Sequence, residues 1–156
     1  AYTADEAWEF IPGKKGPSVH ASDWKPTSFA RSEAEQSAWK TLFALREAAL
    51  PELEKARQSK LIGKALEANL ALAGKAETLA LGQQYEADLR ELLNVSQLTF
   101  AANDSEQVSF TVNKATGQKC ERCWHWENDI GQNAEHVTLC GRCVEAVKVS
   151  LSGKAS

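Results

Sequence analysis

Apolar and polar positions follow two different periods along this chain. From Ser32 to Leu53 the apolar side chains recur roughly at helical spacing, which predicts a long helical region, and Pro51 predicts a kink or a break within it. Between Leu66 and Leu72 apolar positions alternate with polar or small ones. That alternation is typical of a strand with one buried face, and the glycine that follows at position 74 ends it.

The remaining segments carry shorter patterns. Residues 5–10 predict a helix that ends at a Pro-Gly pair, and an extended stretch follows around residues 18–20. Residues 77–93 support one helix or two short ones. Residues 95–100 and 108–112 predict two more strands, separated by a polar turn. We therefore expect an α+β chain whose strand order the sequence does not reveal.

All four cysteines lie near the C-terminus in two pairs, Cys120 with Cys123 and Cys140 with Cys143. Each CxxC turn directs both sulfurs at a shared point, so two such pairs can close a tetrahedron around one Zn²⁺. Four cysteine ligands leave no open position for water. The pattern therefore predicts a closed structural zinc site, with His125 and His136 as non-ligands.

Redox chemistry and disulfide bonding are two other possible uses of the cysteines. Redox CxxC motifs open a helix after a strand in a βαβ unit, and neither pair has that surrounding. Disulfides need an oxidising compartment, and the N-terminus carries no signal-peptide pattern. Zinc is the favoured interpretation. The segment around the pairs is short and polar, so metal binding must supply much of its folding free energy.

Composition limits the possible functions. The formal net charge is −3, which argues against a protein that coats nucleic acid by charge alone. No segment has the uninterrupted apolar length of a transmembrane helix. The chain contains no methionine and opens in the middle of a helical pattern, so we expect it to be a fragment of a longer protein.

Basic residues cluster between positions 55 and 64, and no acidic residue lies within that span. This cationic strip consists of Lys55, Arg57, Lys60 and Lys64. Such a run is more often a solvated face than a phosphate site, and both interpretations stay open.

Basic and indole side chains surround the first cysteine pair. This composition suits stacking on unpaired bases, because an indole offers a flat face and arginine both stacks and donates hydrogen bonds. We also expect at least one of Trp124 and Trp126 to pack over the metal site. The candidates for nucleic-acid contact in this part of the chain are Lys119, Arg122, Trp124 and Arg142.

Several segments, in order along nearly the whole chain, resemble the C-terminal region of bacterial isoleucyl-tRNA synthetases. The resemblance covers the end of that family's anticodon-binding domain, its helix-to-strand passage and its terminal zinc ribbon. The segments that carry it are Thr3–Trp8, Pro12-Gly13, Ser18–His20, Lys60–Ala68, Lys119–Trp124 and Cys140–Cys143. The resemblance implies three modules: residues 1–64 from the helical anticodon-binding domain, 65–113 as a small α+β junction and 114–156 as the zinc ribbon.

The same resemblance implies a function. The chain would be part of a cytoplasmic ligase that joins isoleucine to its tRNA using ATP, and its partners would be tRNA(Ile) and the rest of the synthetase chain. The family's HIGH and KMSKS signatures do not occur here, so we expect no catalytic residue in this chain and no activation of isoleucine by it alone. Its role would be to hold the anticodon stem-loop, as a monomer and away from any membrane.

Two other classes of function stay open. A similar ribbon ends the formamidopyrimidine-DNA glycosylases, which grip duplex DNA with it, although nothing before Cys120 resembles those enzymes. A zinc-dependent protein-interaction module would bind no nucleic acid. Binding competition between tRNA and damaged duplex would separate the first from the synthetase interpretation, and buried indoles would support the second.

Overall fold

The structure is a computed structural model that describes residues 2–13, 16–23, 26 and 30–152. The chain divides into two compact units, Ala1–Ser32 and Glu33–Ser156. The predicted boundaries after residues 64 and 113 stay predictions, and the last four residues of the predicted third module lie outside the described ranges.

The first unit contains helix α1 (Tyr2–Glu9), where the sequence predicted one. The carboxylate of Asp5 accepts hydrogen bonds from the Ser18 hydroxyl at 2.6 Å and from the Val19 N–H at 3.1 Å. The predicted extended stretch around residue 18 is wrong beyond Ser18, because Val19–Ala21 form a 3₁₀ turn. The Ser18 hydroxyl caps that turn, which is a local alternative to extended backbone.

The second unit begins with the long helix α2 (Glu33–Gln58). The helix is continuous through Pro51, so the predicted break into two helices is wrong. The proline is exposed, whereas Ala49 and Leu53 on either side of it are buried in the core. Packing of the neighbouring positions therefore holds the helix together where one backbone hydrogen bond is missing.

Three strands form a mixed sheet in the order β2-β1-β3. They are β1 (Ala68–Gly74), β2 (Gln97–Ala102) and β3 (Ser109–Lys114). The central strand β1 pairs parallel with β2 and antiparallel with β3, which places Leu70 beside Leu98 on one side and beside Val112 on the other. The alternation read from the sequence is confirmed, because every second residue of β1 is buried.

Two short helices, α3 (Ala76–Gln84) and α4 (Glu86–Leu93), connect the parallel strands β1 and β2. The predicted helical stretch over 77–93 is therefore split, at Tyr85, whose φ of −107° and ψ of 35° are not helical. A parallel pair needs a crossover of this kind, because a tight hairpin returns the chain in the opposite direction. Helix α4 ends at Asn94 in the left-handed conformation that commonly terminates a helix.

The core of the second unit lies between helix α2 and the sheet. Its leucines are contributed by α2, β1, α3, α4 and β2, and full burial of one leucine contributes about 1.5–3 kcal/mol. The largest fully buried apolar side chains of this core are Leu42, Leu70, Leu72, Leu79, Leu89 and Val95. Helices and a mixed sheet thus share one core, and the predicted α+β class is confirmed.

After the sheet come two very short strands and a final helix. Strands β4 (Gln118–Lys119) and β5 (Trp126–Glu127) pair antiparallel, and helix α5 (Gly141–Ser152) follows. We call residues 117–146 the ribbon. Within the described ranges, no helix combines the length and apolarity that crossing a membrane needs.

Candidate metal centre and its surroundings

The first cysteine pair lies in the tight turn between β4 and β5. The Cys120 N–H donates to the His125 carbonyl at 2.8 Å, and the Trp124 N–H donates to the Cys120 carbonyl at 2.9 Å. Gly117, with a φ of 87°, opens the hairpin where a Cβ would lie 2.3 Å from the carbonyl oxygen of Glu127. Only glycine fits that position, because it has no side chain and tolerates positive φ.

The second pair lies where helix α5 begins. Cys140 immediately precedes the helix and Cys143 lies in its first turn, so helical geometry aims both sulfurs the same way. The Gly141 N–H at the helix start donates to the Asp129 carboxylate at 2.7 Å, and the Cys140 N–H donates to the Cys120 sulfur at 3.4 Å. The hydrogen bond from Cys140 to Cys120 thus connects the two cysteine pairs directly.

The four sulfurs form one cluster. The Sγ atoms of Cys120, Cys123, Cys140 and Cys143 all lie within 4.8 Å of one another, and three of the four residues are buried. Four thiolates in a closed arrangement match the donor set of structural Zn²⁺. The predicted structural zinc cofactor is confirmed. Neither His125 nor His136 belongs to the metal-binding group that the described residues form.

The acidity of the thiols couples the site to pH. Burial raises the pKa of Cys123, and it raises the pKa of Cys140 to about 12. Burial also favours a higher pKa for Cys120. The backbone N–H groups of Cys123, Cys140 and Arg122 outweigh this effect, because they stabilise the thiolate, and the pKa of Cys120 is lowered to about 6. Because zinc binds thiolates, loading the site must release protons, and zinc affinity must fall as the pH falls.

The apolar cover of the cluster comes from Ile130 and Leu139. The expectation that an indole packs over the metal site is therefore wrong, because neither tryptophan of the ribbon is among the side chains packed on the sulfurs. Trp124 is 59% exposed and Trp126 is half-buried. The aliphatic side chains sit in the loop between the two pairs, where the sequence shows no periodic pattern.

A set of polar contacts joins the ribbon to the α+β core. The fully buried Ser96 donates from its hydroxyl to the Leu66 carbonyl at 2.5 Å and accepts from the Trp126 N–H at 2.7 Å. The Gln97 side chain accepts from the Thr116 N–H at 3.0 Å and donates to the Thr116 carbonyl at 3.1 Å. The ribbon is thereby held in a defined position against β2.

Two ion pairs extend this attachment to helix α4. Arg90 pairs with Glu127 at 2.9 Å, and both side chains are largely shielded from water. Arg142 pairs with Glu91 at 2.5 Å, and this hydrogen bond raises the pKa of the arginine, although the pair is exposed. Arg142, a predicted nucleic-acid contact, thus has a partner within the fold.

The four residues of the cationic strip have different surroundings. Lys55 pairs with Glu52 at 2.5 Å, and Arg57 pairs with Glu54 at 2.8 Å, each one helical turn away on α2. The acidic partners lie just before the strip in the sequence. Surface pairs of this kind are weak, but they reduce the positive field at Lys55 and Arg57. Lys60 and Lys64 lie beyond the helix and are exposed.

Lys64, the last residue of the strip, lines a groove together with residues of the ribbon. A groove of about 80 Å³ is lined by Lys64, Leu66, Glu67, Lys119, Trp124 and Trp126. We call it the composite groove, because its walls come from the segment before β1 and from the ribbon. The Lys119 Nζ lies 5.6 Å from the centroid of the Trp124 ring, within cation–π range.

Trp124 adopts an unusual backbone conformation for its size. Its φ is 67°, in the left-handed region that bulky side chains rarely occupy. The hydrogen bond of its N–H to the Cys120 carbonyl holds it there and leaves the indole in solvent. Backbone strain of this kind clusters at active sites and ligand clamps. Arg122, in contrast, directs its guanidinium to the Cys143 sulfur at 3.7 Å.

Comparisons with known proteins agree with this geometry. Residues 117–146 match the family described as a zinc finger found in FPG and IleRS. An isoleucine–tRNA ligase of Exiguobacterium sibiricum is 42% identical over 151 residues, which cover 94% of this chain and 16% of that protein. The resemblance is to isoleucine–tRNA ligases. The resemblance to these ligases that the sequence motifs indicated is thereby confirmed.

Further isoleucine–tRNA ligases show the same relationship. Those of Bacillus mycoides and Bacillus cereus are 38% identical over 157 residues, covering 94% of this chain and 17% of each protein. The chain thus spans about a sixth of the length of the curated relatives it matches. The similarity covers 94% of the chain and therefore runs well beyond the ribbon into the α+β core.

Proposed function

We propose that this chain is a tRNA-binding region of an isoleucine–tRNA ligase and that it holds the anticodon stem-loop of tRNA(Ile). The observation that carries the proposal is the exposed indole of Trp124, which lies beside Lys64 and Lys119 in a chain similar to these ligases over 94% of its length. An indole next to two ammonium groups suits an unstacked base between phosphates.

The zinc serves this function as a scaffold. Four cysteines fill its coordination shell, so it offers no position for a substrate or a water molecule. Its contribution is to fold the turn that carries Trp124 and to hold Lys119 against the ring. Arg122, whose guanidinium reaches the Cys143 sulfur, would orient the same turn and present its remaining N–H groups to the nucleic acid.

The basic residues divide into stronger and weaker candidates for phosphate contact. Lys60, Lys64 and Lys119 have no carboxylate partner among the described residues and supply unscreened charge. Lys55, Arg57 and Arg142 share their charge with acidic neighbours and would contribute less. The proposed order of importance thus differs from the continuous strip that the sequence predicted.

In the whole ligase, this region would place the tRNA so that its acceptor end reaches a catalytic domain that lies outside residues 1–156. That domain would use ATP to attach isoleucine, in the cytoplasm, and the tRNA and the remainder of the ligase would be the partners of this chain. We propose that it acts without forming an oligomer.

A binding titration tests the proposal. The chain, with its zinc content measured on the same sample, is titrated with isoleucine tRNA and with the same tRNA carrying altered anticodon bases. We expect weaker binding of the altered tRNA, because base contacts carry the specificity while phosphate contacts do not. Equal affinity for both tRNAs would show that this region does not contact the anticodon bases.

Substitution of Trp124 by alanine identifies the residue responsible. If the indole stacks on a base, its loss weakens binding of the cognate anticodon stem-loop by about 1–3 kcal/mol, or about 5- to 150-fold in affinity. Phe43→Ala is the matched control, since Phe43 is also an exposed aromatic residue, at 49%, but lies on α2. Unchanged affinity in Trp124→Ala with zinc retained would remove this residue from the proposed role.

The shared zinc-finger family also includes FPG, so duplex DNA is the competing ligand to test. A damaged DNA duplex is added as competitor to the complex of the chain with isoleucine tRNA. We expect the tRNA to remain bound at equal competitor concentration. Displacement of the tRNA by damaged duplex would favour a glycosylase-like function, and failure to bind either would favour a protein-interaction module.

A further inference from the structure

Glu67 is an acidic residue in a groove otherwise lined by basic and apolar side chains. Its backbone is fixed on both sides: its N–H donates to the Lys64 carbonyl at 2.9 Å, and its carbonyl accepts from the Ala115 N–H at 2.8 Å. Its side chain is fixed as well, because Oε2 accepts from the Gly63 N–H at 2.7 Å. This hydrogen bond orients the carboxylate before any ligand arrives.

The carboxylate retains hydrogen-bonding capacity. Among the residues that the structure describes, no hydrogen bond reaches Oε1 of Glu67, and neither Lys64 nor Lys119 forms an ion pair with it. A carboxylate offers about four acceptor positions, and the Gly63 N–H uses one of them. Glu67 can thus accept two further hydrogen bonds from a ligand that enters the composite groove.

The charges of the groove restrict its ligand. Lys64 and Lys119 together outweigh Glu67 and favour a ligand that carries negative charge, and Glu67 favours one that also presents hydrogen-bond donors. A nucleotide satisfies all three, since its phosphates are negative while the edge of its base carries N–H donors. The exposed ring of Trp124 supplies the flat surface on which such a base stacks.

A buried serine outside the groove connects its two walls. Ser96 bonds to the Leu66 carbonyl on one wall and to the Trp126 N–H on the other. A site whose acceptor and stacking surface are already positioned can discriminate between bases, because little reorganisation is needed on binding. This buried connection distinguishes the groove from an ordinary charged surface.

We propose that the composite groove reads one unpaired base through Glu67 and that it prefers guanine. Guanine alone presents two adjacent donors, N1–H and the N2 amino group, that one carboxylate can accept together. Adenine and cytosine offer one amino group, but the ring nitrogen beside it is an acceptor, and its lone pair would repel the carboxylate. Uracil offers a single N–H. The inference rests on the proposed function, since the base would belong to the bound tRNA.

Short RNAs test the preference directly. The zinc-loaded chain is titrated with oligouridine pentamers whose central base is guanine, hypoxanthine or adenine, and binding is followed by tryptophan fluorescence. Hypoxanthine keeps N1–H but lacks the amino group, so it isolates the second hydrogen bond. We expect the guanine pentamer to bind about tenfold more tightly than the other two, as for a base read by two hydrogen bonds.

Variants assign the preference to Glu67. Glu67→Gln keeps an oxygen for the Gly63 N–H but can no longer accept both donors, so the guanine preference should fall to less than about threefold. Glu121→Gln removes the same charge from an exposed ribbon residue outside the groove and should keep the preference. Lys64→Gln should weaken all three pentamers equally, since it alters only phosphate contact.

The outcomes separate this inference from the proposed function. Equal affinity for the three pentamers, or a guanine preference that survives Glu67→Gln, would overturn the base-reading inference even if the anticodon stem-loop binds. A wild-type chain that binds the guanine pentamer selectively but not the stem-loop would support the groove and contradict the proposed function. Zinc content of each variant is measured first, so that only folded ribbons are compared.

Discussion

Replacing Ser96 with alanine removes one oxygen atom that joins the ribbon to the α+β core. That hydroxyl is fully buried, donates to the Leu66 carbonyl at 2.5 Å and accepts from the Trp126 N–H at 2.7 Å. The alanine side chain fits the same space, so the substitution deletes the two hydrogen bonds with little change in packing.

The expected loss follows from the burial of the two partners. A buried polar group left without a hydrogen bond costs about 1–3 kcal/mol, and here two groups lose one each. Leu66 and Trp126 are half-buried, so water can replace part of what is lost. We therefore expect the free energy of unfolding to fall by about 2 kcal/mol, toward the lower end of the summed range.

Urea denaturation of the zinc-loaded chain, followed by circular dichroism, measures this change. Ser109→Ala is the matched control: its hydroxyl also donates to a carbonyl, that of Ala73 at 3.3 Å, but Ser109 is exposed. The control should change stability by less than about 0.5 kcal/mol. If Ser96→Ala behaves like the control, the hydroxyl does not hold the ribbon in the way the structure indicates.

Three further perturbations have defined outcomes. Removing zinc with a chelator should unfold residues 117–146 while helix α2 and the sheet persist. The reason is that the cysteine cluster and the core under α2 are two separate groups of buried residues. A full loss of the helical circular dichroism signal would contradict this expectation. Gly117→Ala should lower zinc affinity more than Gly131→Ala. Both glycines have a φ of 87°, but a Cβ at Gly117 would clash with the Glu127 carbonyl, whereas one at Gly131 would lie at an ordinary 3.9 Å from the Val137 carbonyl. Equal affinities in a competition assay with a chromophoric chelator would exclude the clash. Burial, reinforced by Arg90, lowers the pKa of His125, so the folded chain binds fewer protons than the unfolded chain just below pH 6.5 and loses stability as the pH falls there. His125→Gln should flatten this part of the pH dependence in urea titrations, and an unchanged difference between pH 7.5 and pH 5.5 would show that other groups cause it.

The features that the sequence predicted correctly share one property, which is that each depends on neighbours a few residues away. The two CxxC turns predicted the sulfur cluster because each turn fixes its own pair of sulfurs. The alternation over residues 66–72 predicted the buried face of β1 because strand geometry has a period of two. The break allowed for at Pro51 does not occur, since the packing of Ala49 and Leu53 outweighs one missing hydrogen bond.

The candidate site was predicted only in part. Trp124 and Lys119 were singled out from their composition, and the structure places them together with Lys64 in the composite groove. Glu67 was missed as a site residue. Its nearest signal in the sequence is a carboxylate within a basic segment, which by itself does not distinguish a ligand-binding group from a solvated surface.

The sequence by itself determined the zinc ligands, the types of most elements and the resemblance to a synthetase, because local spacing and residue order carry that information. The tertiary structure alone decided which charges remain available. It pairs Arg142 of the ribbon with Glu91, brings Lys64 and Glu67 to the ribbon and buries Ser96 between the two walls of the groove. These contacts depend on how β1, β2 and the ribbon pack, and such long-range packing leaves no periodic trace in the chain.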